Sequence, residues 1–183
     1  MKKHLSIVMV LLVALSVGTA SAAGKKDDKR SNINGMAKEA LDELFADVPQ
    51  AKQLYDKAYG YAVFDNVKVS LMISGGGGHG VAVVKGSNAR TYMRMGTVGL
   101  NIGLGVQKYQ IVFLFQSKER FNDFVNKGWE ADASANAVAG PHGANAEATF
   151  RDDMAFYQIT EMGLMLQADI AGTKYWKNKK LNR

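Results

Sequence analysis

The side chains best suited to chemistry in this sequence are cations spaced two apart in an alternating run. In a strand over residues 90–95, Arg90, Tyr92 and Arg94 share one face, and Thr91, Met93 and Met95 share the other. An arginine fork donates two parallel hydrogen bonds to a phosphate, and a tyrosine between two forks suits the wet edge of a bilayer. A second group closes the chain. Lys174, Tyr175, Trp176 and Lys177, followed by Lys179, Lys180 and Arg183, have the composition of an interfacial anchor for anionic lipid. Lys85 and Lys108 add to the first group, because Lys68, Lys85, Arg90, Arg94, Lys108 and Lys118 fall in a stretch without Asp or Glu between Asp65 and Glu119. The plain alternatives are a solvated strand face and a basic end without fixed structure.

Chemistry of other kinds has no visible centre. Gly75, Gly77 and Gly80 satisfy G-x-G-x-x-G, but a β-branched run follows where a dinucleotide site needs a helix N-terminus. His79 and His142 sit in glycine-rich stretches and the chain has no cysteine, so no metal-ligand cluster is apparent. There is no G-x-S-x-G, and Asp152-Asp153 beside Arg151 has the look of a solvated turn. The expectation is a protein that is not an enzyme, with no cofactor, no metal and no nucleic acid partner.

The elements that would position the cations lie between Tyr61 and Lys118. Val67, Val69, Leu71 and Ile73 alternate with Lys68, Ser70, Met72 and Ser74, which predicts a half-buried strand. The Gly75–Gly80 run predicts a hairpin reversal before Val81–Val84, and Gly86-Ser87-Asn88 a second turn. Val98, Leu100, Ile102, Leu104 and Val106 alternate with Gly99, Asn101, Gly103, Gly105 and Gln107, leaving one face nearly bare. A bare face means sharp coiling, close approach of another backbone, or a ligand. Ile111–Phe115 is apolar on both faces and should be central.

Around this core, Met36, Ala40, Leu41, Leu44 and Phe45 predict one amphipathic helix, and Ala51, Leu54, Tyr55 and Ala58 a second after the Val48-Pro49 break. Ser117 is a cap for a short helix carrying Phe121, Phe124 and Val125 and ending near Gly128. Residues 131–149 alternate alanine with polar residues about a Gly140-Pro141-His142-Gly143 turn, and two further strands are expected over 154–160 and 164–170. At the N-terminus, Lys2-Lys3, an apolar Ile7–Val17 core and Ala20-Ser21-Ala22 have the form of a cleaved bacterial signal. The organisation expected is therefore a signal over 1–22, a flexible leader over 23–35, one domain over 36–176 and a basic tail over 177–183. The exported protein would be periplasmic, peripheral to the outer membrane, or secreted. With 183 residues, 47% of them hydrophobic, one well-cored domain fits. The net charge of +6 matters through its placement.

The order of these features resembles the SYLF domain, a lipid-binding family whose eukaryotic members also regulate actin. The resemblance rests on the helix around Ala51, Leu54 and Ala58, on Gly60-Tyr61-Ala62-Val63-Phe64, and on Gly75–Gly80 followed by Val81. Gly99, Gly103 and Gln107, Phe121, Gly128 and Gly140-Pro141 extend it, so that it runs from about Ala37 to Tyr175. It implies an α+β fold with a curved, partly barrel-like antiparallel sheet of roughly seven to nine strands, two N-terminal helices and a short inserted helix. It also implies phospholipid binding without catalysis. Lipid contact in eukaryotic relatives is attributed to a basic N-terminal segment, whereas the first helix here carries Glu39, Asp42, Glu43 and Asp47 against Lys38. The strand and tail cations are therefore the candidates: Lys85, Arg90, Tyr92, Arg94, Lys108, Lys174, Tyr175, Trp176 and Lys177. The expected partner is an anionic phospholipid or membrane surface. The alternative is an envelope protein received on the glycine-lined face.

Overall fold

A computed structural model describes residues 2–131, 149–160, 163–164 and 172–183, with the backbone alone for 2–23, 68–74, 99–107 and 163–164. The expected alanine-rich hairpin, and most of the expected 164–170 strand, lie outside the described residues. The chain divides into two compact units, Met1–Asn32 and Ile33–Arg183. Helix α1 is Lys2–Asp47, α2 is Pro49–Lys57 and α3 is Lys118–Lys127; the strands are β1 (Gly60–Val84), β2 (Ala89–Phe115), β3 (Trp129–Ala131), β4 (Met154–Thr160), β5 (Gly163–Leu164) and β6 (Thr173–Lys177). The segment over 23–35, which reads as a flexible leader, is helical, with an Arg30–Asp27 ion pair of 3.0 Å one turn apart. Pro49 opens α2 at a position where its missing N–H costs nothing. Ser117 caps α3 by accepting from the Arg120 N–H at 3.2 Å, and Gly128 ends it with φ of 80°.

All described strand pairs are antiparallel, in the order β3-β6-β2-β4-β5 with β1 also on β2. The fold is α+β with a curved sheet, as the resemblance implies. Its strands differ from expectation in length. Gly75–Gly80 is not a turn: β1 runs through it, paired residue for residue with β2, and the chain reverses only after Val84. The reason is curvature. A Cβ on Gly78 would lie 1.7 Å from the Asp65 carbonyl oxygen, one on Gly80 would lie 2.3 Å from that of Val63, and one on Gly60 would lie 2.7 Å from that of Val83. Each pair is centred on Leu71–Met72, next to the point where the β1–β2 register shifts. The long ribbon thus bends at a bulge until the two halves of β1 lie together, and the glycines admit that approach.

Both faces of this doubled ribbon are apolar. Val63, Val81, Val83, Val112, Leu114, Ala155 and Tyr157 pack with Ala37, Leu41, Leu44, Ala51 and Leu54 of α1 and α2. Phe64, Phe113, Phe115, Phe156 and Tyr175 pack on the other side with Phe121 and Phe124 of α3. Rings there meet edge to face, Phe64–Tyr175 at 4.8 Å and Phe113–Tyr175 at 5.1 Å. Ile111–Phe115 is fully buried between β1 and β4, the central strand expected. Val67, expected on a core face, is exposed, because buried Asn66 takes the inward position there.

Candidate functional site

The arginine stripe is divided. Arg90, Tyr92 and Arg94 do share a face of β2, but Tyr92 is only 9% exposed. The Asn34 amide of α1 donates to its hydroxyl at 3.1 Å, and Asn182 at the chain end accepts from its N–H at 2.9 Å and donates to its carbonyl at 2.7 Å. Tyr92 is therefore a packing residue and not a lipid contact. Of the basic tail expected over 177–183, Lys177 ends β6 and residues 178–183 fold back over the sheet: Asn178 and Leu181 are buried, and the Asn178 N–H donates to the Tyr92 carbonyl at 2.9 Å.

Tyr175 also leaves the candidate list. It is 1% exposed in the aromatic core, where burial, and secondarily Tyr109, hold its hydroxyl well above the usual tyrosine range. The alternation Thr173-Lys174-Tyr175-Trp176 signals a strand, with Thr173 and Tyr175 inward and Lys174 and Trp176 outward. Lys85 serves α2: its ammonium donates to the Tyr55 carbonyl and, at 3.0 Å, to that of Asp56, the end of a helix where cations are favoured. Burial pushes its pKa down, Asp56 opposes that shift, and Lys52 adds to it. Lys108 borders a hollow of about 290 Å³ that also holds Glu43 and Asp65. Acidic residues of other elements thus border Lys108. Lys174 likewise pairs with Glu130 of β3 at 3.0 Å, on the surface.

What remains together is a face at the β2–β6 pairing. Arg94 lies opposite Trp176 and Gly96 opposite Lys174. The Trp176 indole, 40% exposed, lies against Gly96, where a Cβ would be 3.1 Å from the ring, and the Arg94 guanidinium sits 5.8 Å from an indole ring centre. Two residues along β2, on the same face, Val98 is 70% exposed. Arg94 to Val98 spans roughly 13 Å of strand. Lys177 does not join this face: it lies opposite Met93 in register, on the side of Tyr175, and its ammonium donates to Asn126 of α3 at 3.0 Å. Arg94 has no ion pair among the described residues. The Gly96–Trp176 seat escaped the sequence reading; the signal was a glycine whose cross-strand neighbour is aromatic.

Among the described residues no group of His, Asp and Glu is placed to hold a metal ion, and no helix is long and apolar enough to cross a membrane.

Residues 96–183 match the family model of Ysc84, described as a Las17-binding protein actin regulator. The chain is 49% identical over 154 residues to beta cell expansion factor A of Aeromonas veronii, an alignment covering 84% of this chain and 59% of that relative. The chain thus spans less than two thirds of the relative's length. The segment similar to the Ysc84 (SYLF) family model contains the Gly96–Trp176 seat, Val98, Lys174 and the docked C-terminus, and Arg94 lies just before it.

Proposed function

We propose that this protein is a non-enzymatic module that binds anionic phospholipid at a membrane surface through the face formed by Arg94, Gly96, Val98, Trp176 and Lys174. The observation that carries this reading is the exposed indole lying against Gly96 beneath a guanidinium that has no ion pair among the described residues, with an exposed valine beyond it. The likeness of residues 96–183 to the family model supports lipid binding or actin regulation in general terms. A half-exposed tryptophan beside cations is the arrangement that meets a headgroup layer: the ring enters the acyl boundary and the cations stay with phosphate. Each cation contributes about 1 kcal/mol at an anionic surface, less for Lys174 because Glu130 offsets it. The protein acts after export by its signal, in the periplasm, at the outer membrane, or outside the cell, where phosphatidylglycerol and cardiolipin are the available anionic lipids.

Flotation of the purified protein with phosphatidylglycerol vesicles, and with phosphatidylcholine vesicles as control, tests this. Binding is expected on the first alone, should weaken between low and physiological salt, and should fall in Arg94→Gln with Trp176→Ala. Equal flotation of the double variant would reject the face.

A second reading follows from the family description, which names a protein-binding activity. Here the same face, or the glycine-lined stretch of β2, receives a protein. Capture of a protein partner that is unchanged by removing lipid would favour it.

A further inference from the structure

A second site lies on the far side of Tyr92, where residues of α1, α2, β1 and β2 line a groove of about 350 Å³. Its floor is closed: Leu41, Val81 and Val83 are 7%, 1% and 2% exposed and offer a ligand almost no surface. What a ligand meets is the rim. Lys38 and Asp42 stand on α1 with side chains 79% and 62% exposed, and Arg90 is exposed on β2. Phe45 and Tyr55 meet edge to face at 5.0 Å and Tyr55 meets Tyr61 at 5.5 Å, giving the groove an aromatic end whose rings are half-buried.

Each group of the rim asks for a different feature in a ligand. The Arg90 side chain has no ion pair or hydrogen bond among the described residues, so its fork is available to a carboxylate. Lys38 and Asp42 pair with each other at 2.6 Å. So exposed a pair contributes little by itself, and it presents donors and acceptors side by side, the complement of adjacent hydroxyl groups that each donate and accept. Burial, and secondarily Tyr55, push the Tyr61 hydroxyl above the usual tyrosine range against the charge of Arg90; burial and then Asp56 do the same for Tyr55. Both phenols therefore keep their protons at neutral pH and are donors. The Tyr55 ring is taken up by Lys85, whose ammonium lies 4.5 Å from its centre. Tyr61 carries no cation over its ring among the described residues, and the negative face of a phenol suits the C–H side of a saturated ring. A simple carboxylate meets only the first of these features. A polyhydroxylated ring that bears one carboxylate meets all three.

We propose that this groove binds a hexuronate, as the free sugar acid or as the end of a polysaccharide, with its carboxylate on Arg90, its hydroxyls on Lys38 and Asp42 and its ring against Tyr61. No step of the membrane binding described above depends on it. The volume, at the small end of the range for ligand sites, suits a single sugar. The bidentate carboxylate–guanidinium pair fixes the orientation of the ring, and the hydroxyl contacts set the preference for a sugar over other acids.

The test uses the full-length protein, isotope-labelled at alanine, leucine and valine methyl groups and at the arginine side-chain nitrogens, titrated with D-galacturonate, its uncharged methyl ester, and acetate. Galacturonate should shift the Arg90 Nε–H signal and the Ala37, Leu41, Val81 and Val83 methyls beneath the rim to saturation. The methyl ester should bind about tenfold more weakly, the equivalent of one charge-assisted interaction, and acetate more weakly still. Arg90→Gln should lower galacturonate to the level of the ester and leave the ester unchanged; Arg90→Lys, which keeps the charge and loses the fork, should fall between. Asp42→Ala, at an exposed position, should weaken galacturonate and ester alike and leave acetate unchanged. Trigalacturonate that binds more tightly than the monomer assigns the ligand to a polysaccharide end, and one that binds no better assigns it to the free acid. Acetate as tight as galacturonate, ester as tight as acid, insensitivity to Arg90→Gln, or shifts centred on Val98 would each overturn the proposal. The vesicle measurement separates the two sites: Arg90→Gln should float with phosphatidylglycerol as the unaltered protein does.

Discussion

Arg90 and Arg94 are four residues apart on one strand face and do different things. Arg90 borders a groove walled by α1, with a floor of valines. Arg94 lies over an indole on an open part of the sheet. What separates them is Tyr92, held from one side by Asn34 and from the other by Asn182. Two arginines at strand spacing are one recognition stripe only if the residue between them stays uncovered. Here parts of the chain far apart in sequence meet over that residue, and the stripe becomes two sites with different geometry.

The strongest way to break this comparison is to remove what sets both regions in place, the doubling of β1. Gly78→Ala puts a methyl 1.7 Å from a backbone oxygen and 2.8 Å from its carbonyl carbon, so that main chain must shift, and should cost more than about 4 kcal/mol or prevent folding. Gly75, in the same glycine run, has nothing within 4 Å, and Gly75→Ala should change stability by less than about 1 kcal/mol. Urea unfolding of the two variants measures the difference. Similar losses in both would mean that the glycines act through chain entropy and not through close approach. The divider comes next. Tyr92→Ala should cost about 3–5 kcal/mol, as truncations of buried aromatic residues do, whereas Tyr92→Phe loses the Asn34 bond and about 1 kcal/mol. Thermal melts of the pair separate packing from hydrogen bonding at the position between the sites.

Those contrasts also show how much could be read in advance. The inserted helix was legible from Ser117 to Gly128 because its cap, its apolar face and its stop are local. The central strand was legible because apolar residues on both faces leave few other places for Ile111–Phe115. Gly75–Gly80 misled, since glycines admit a tight turn and a close backbone contact equally well, and the contact partners Val63 and Asp65 lie more than a dozen residues away. Of the candidate site, Arg94 and Trp176 were named from sequence, but their neighbourhood was not, because register between β2 and β6 is a long-range fact. Tyr92 and Tyr175 were misplaced for related reasons: an alternation fixes which residues share a face, not what covers it.

A smaller effect sharpens the comparison at Trp176. Its ring rests on the sheet and borders solvent, so Trp176→Ala should cost only about 1 kcal/mol of stability. On phosphatidylglycerol vesicles the same change should cost about 2 kcal/mol of binding, roughly thirtyfold in Kd, because the ring's apolar area is no longer transferred from water. Arg90→Gln should leave that Kd unaltered. If both substitutions weaken vesicle binding equally, Arg90 and Arg94 act as one surface and the division by Tyr92 has no functional meaning.

The smallest effect concerns what lies beneath the two regions. The groove is built over the core that contains Tyr157; the Trp176 face is built over the core that contains Tyr175. Both hydroxyls are buried without a hydrogen-bond partner among the described residues. Burial pushes the Tyr157 pKa up to about 12, so its proton stays on in the folded protein after the unfolded chain has released its own. The unfolded state then binds fewer protons, and stability falls as pH rises from about 10, the model-peptide value, toward 12. Two units correspond to a loss on the order of 2 kcal/mol across that window. Tyr157→Phe removes the ionisable group and an unsatisfied hydroxyl together. It should match or exceed the unaltered protein by about 1 kcal/mol at neutral pH and show a shallower alkaline decline. Urea unfolding at pH 7 and across the alkaline limb measures both. A loss of stability at neutral pH would mean that the hydroxyl is satisfied in solution, so that the core under the groove is held by a polar contact as well as by packing.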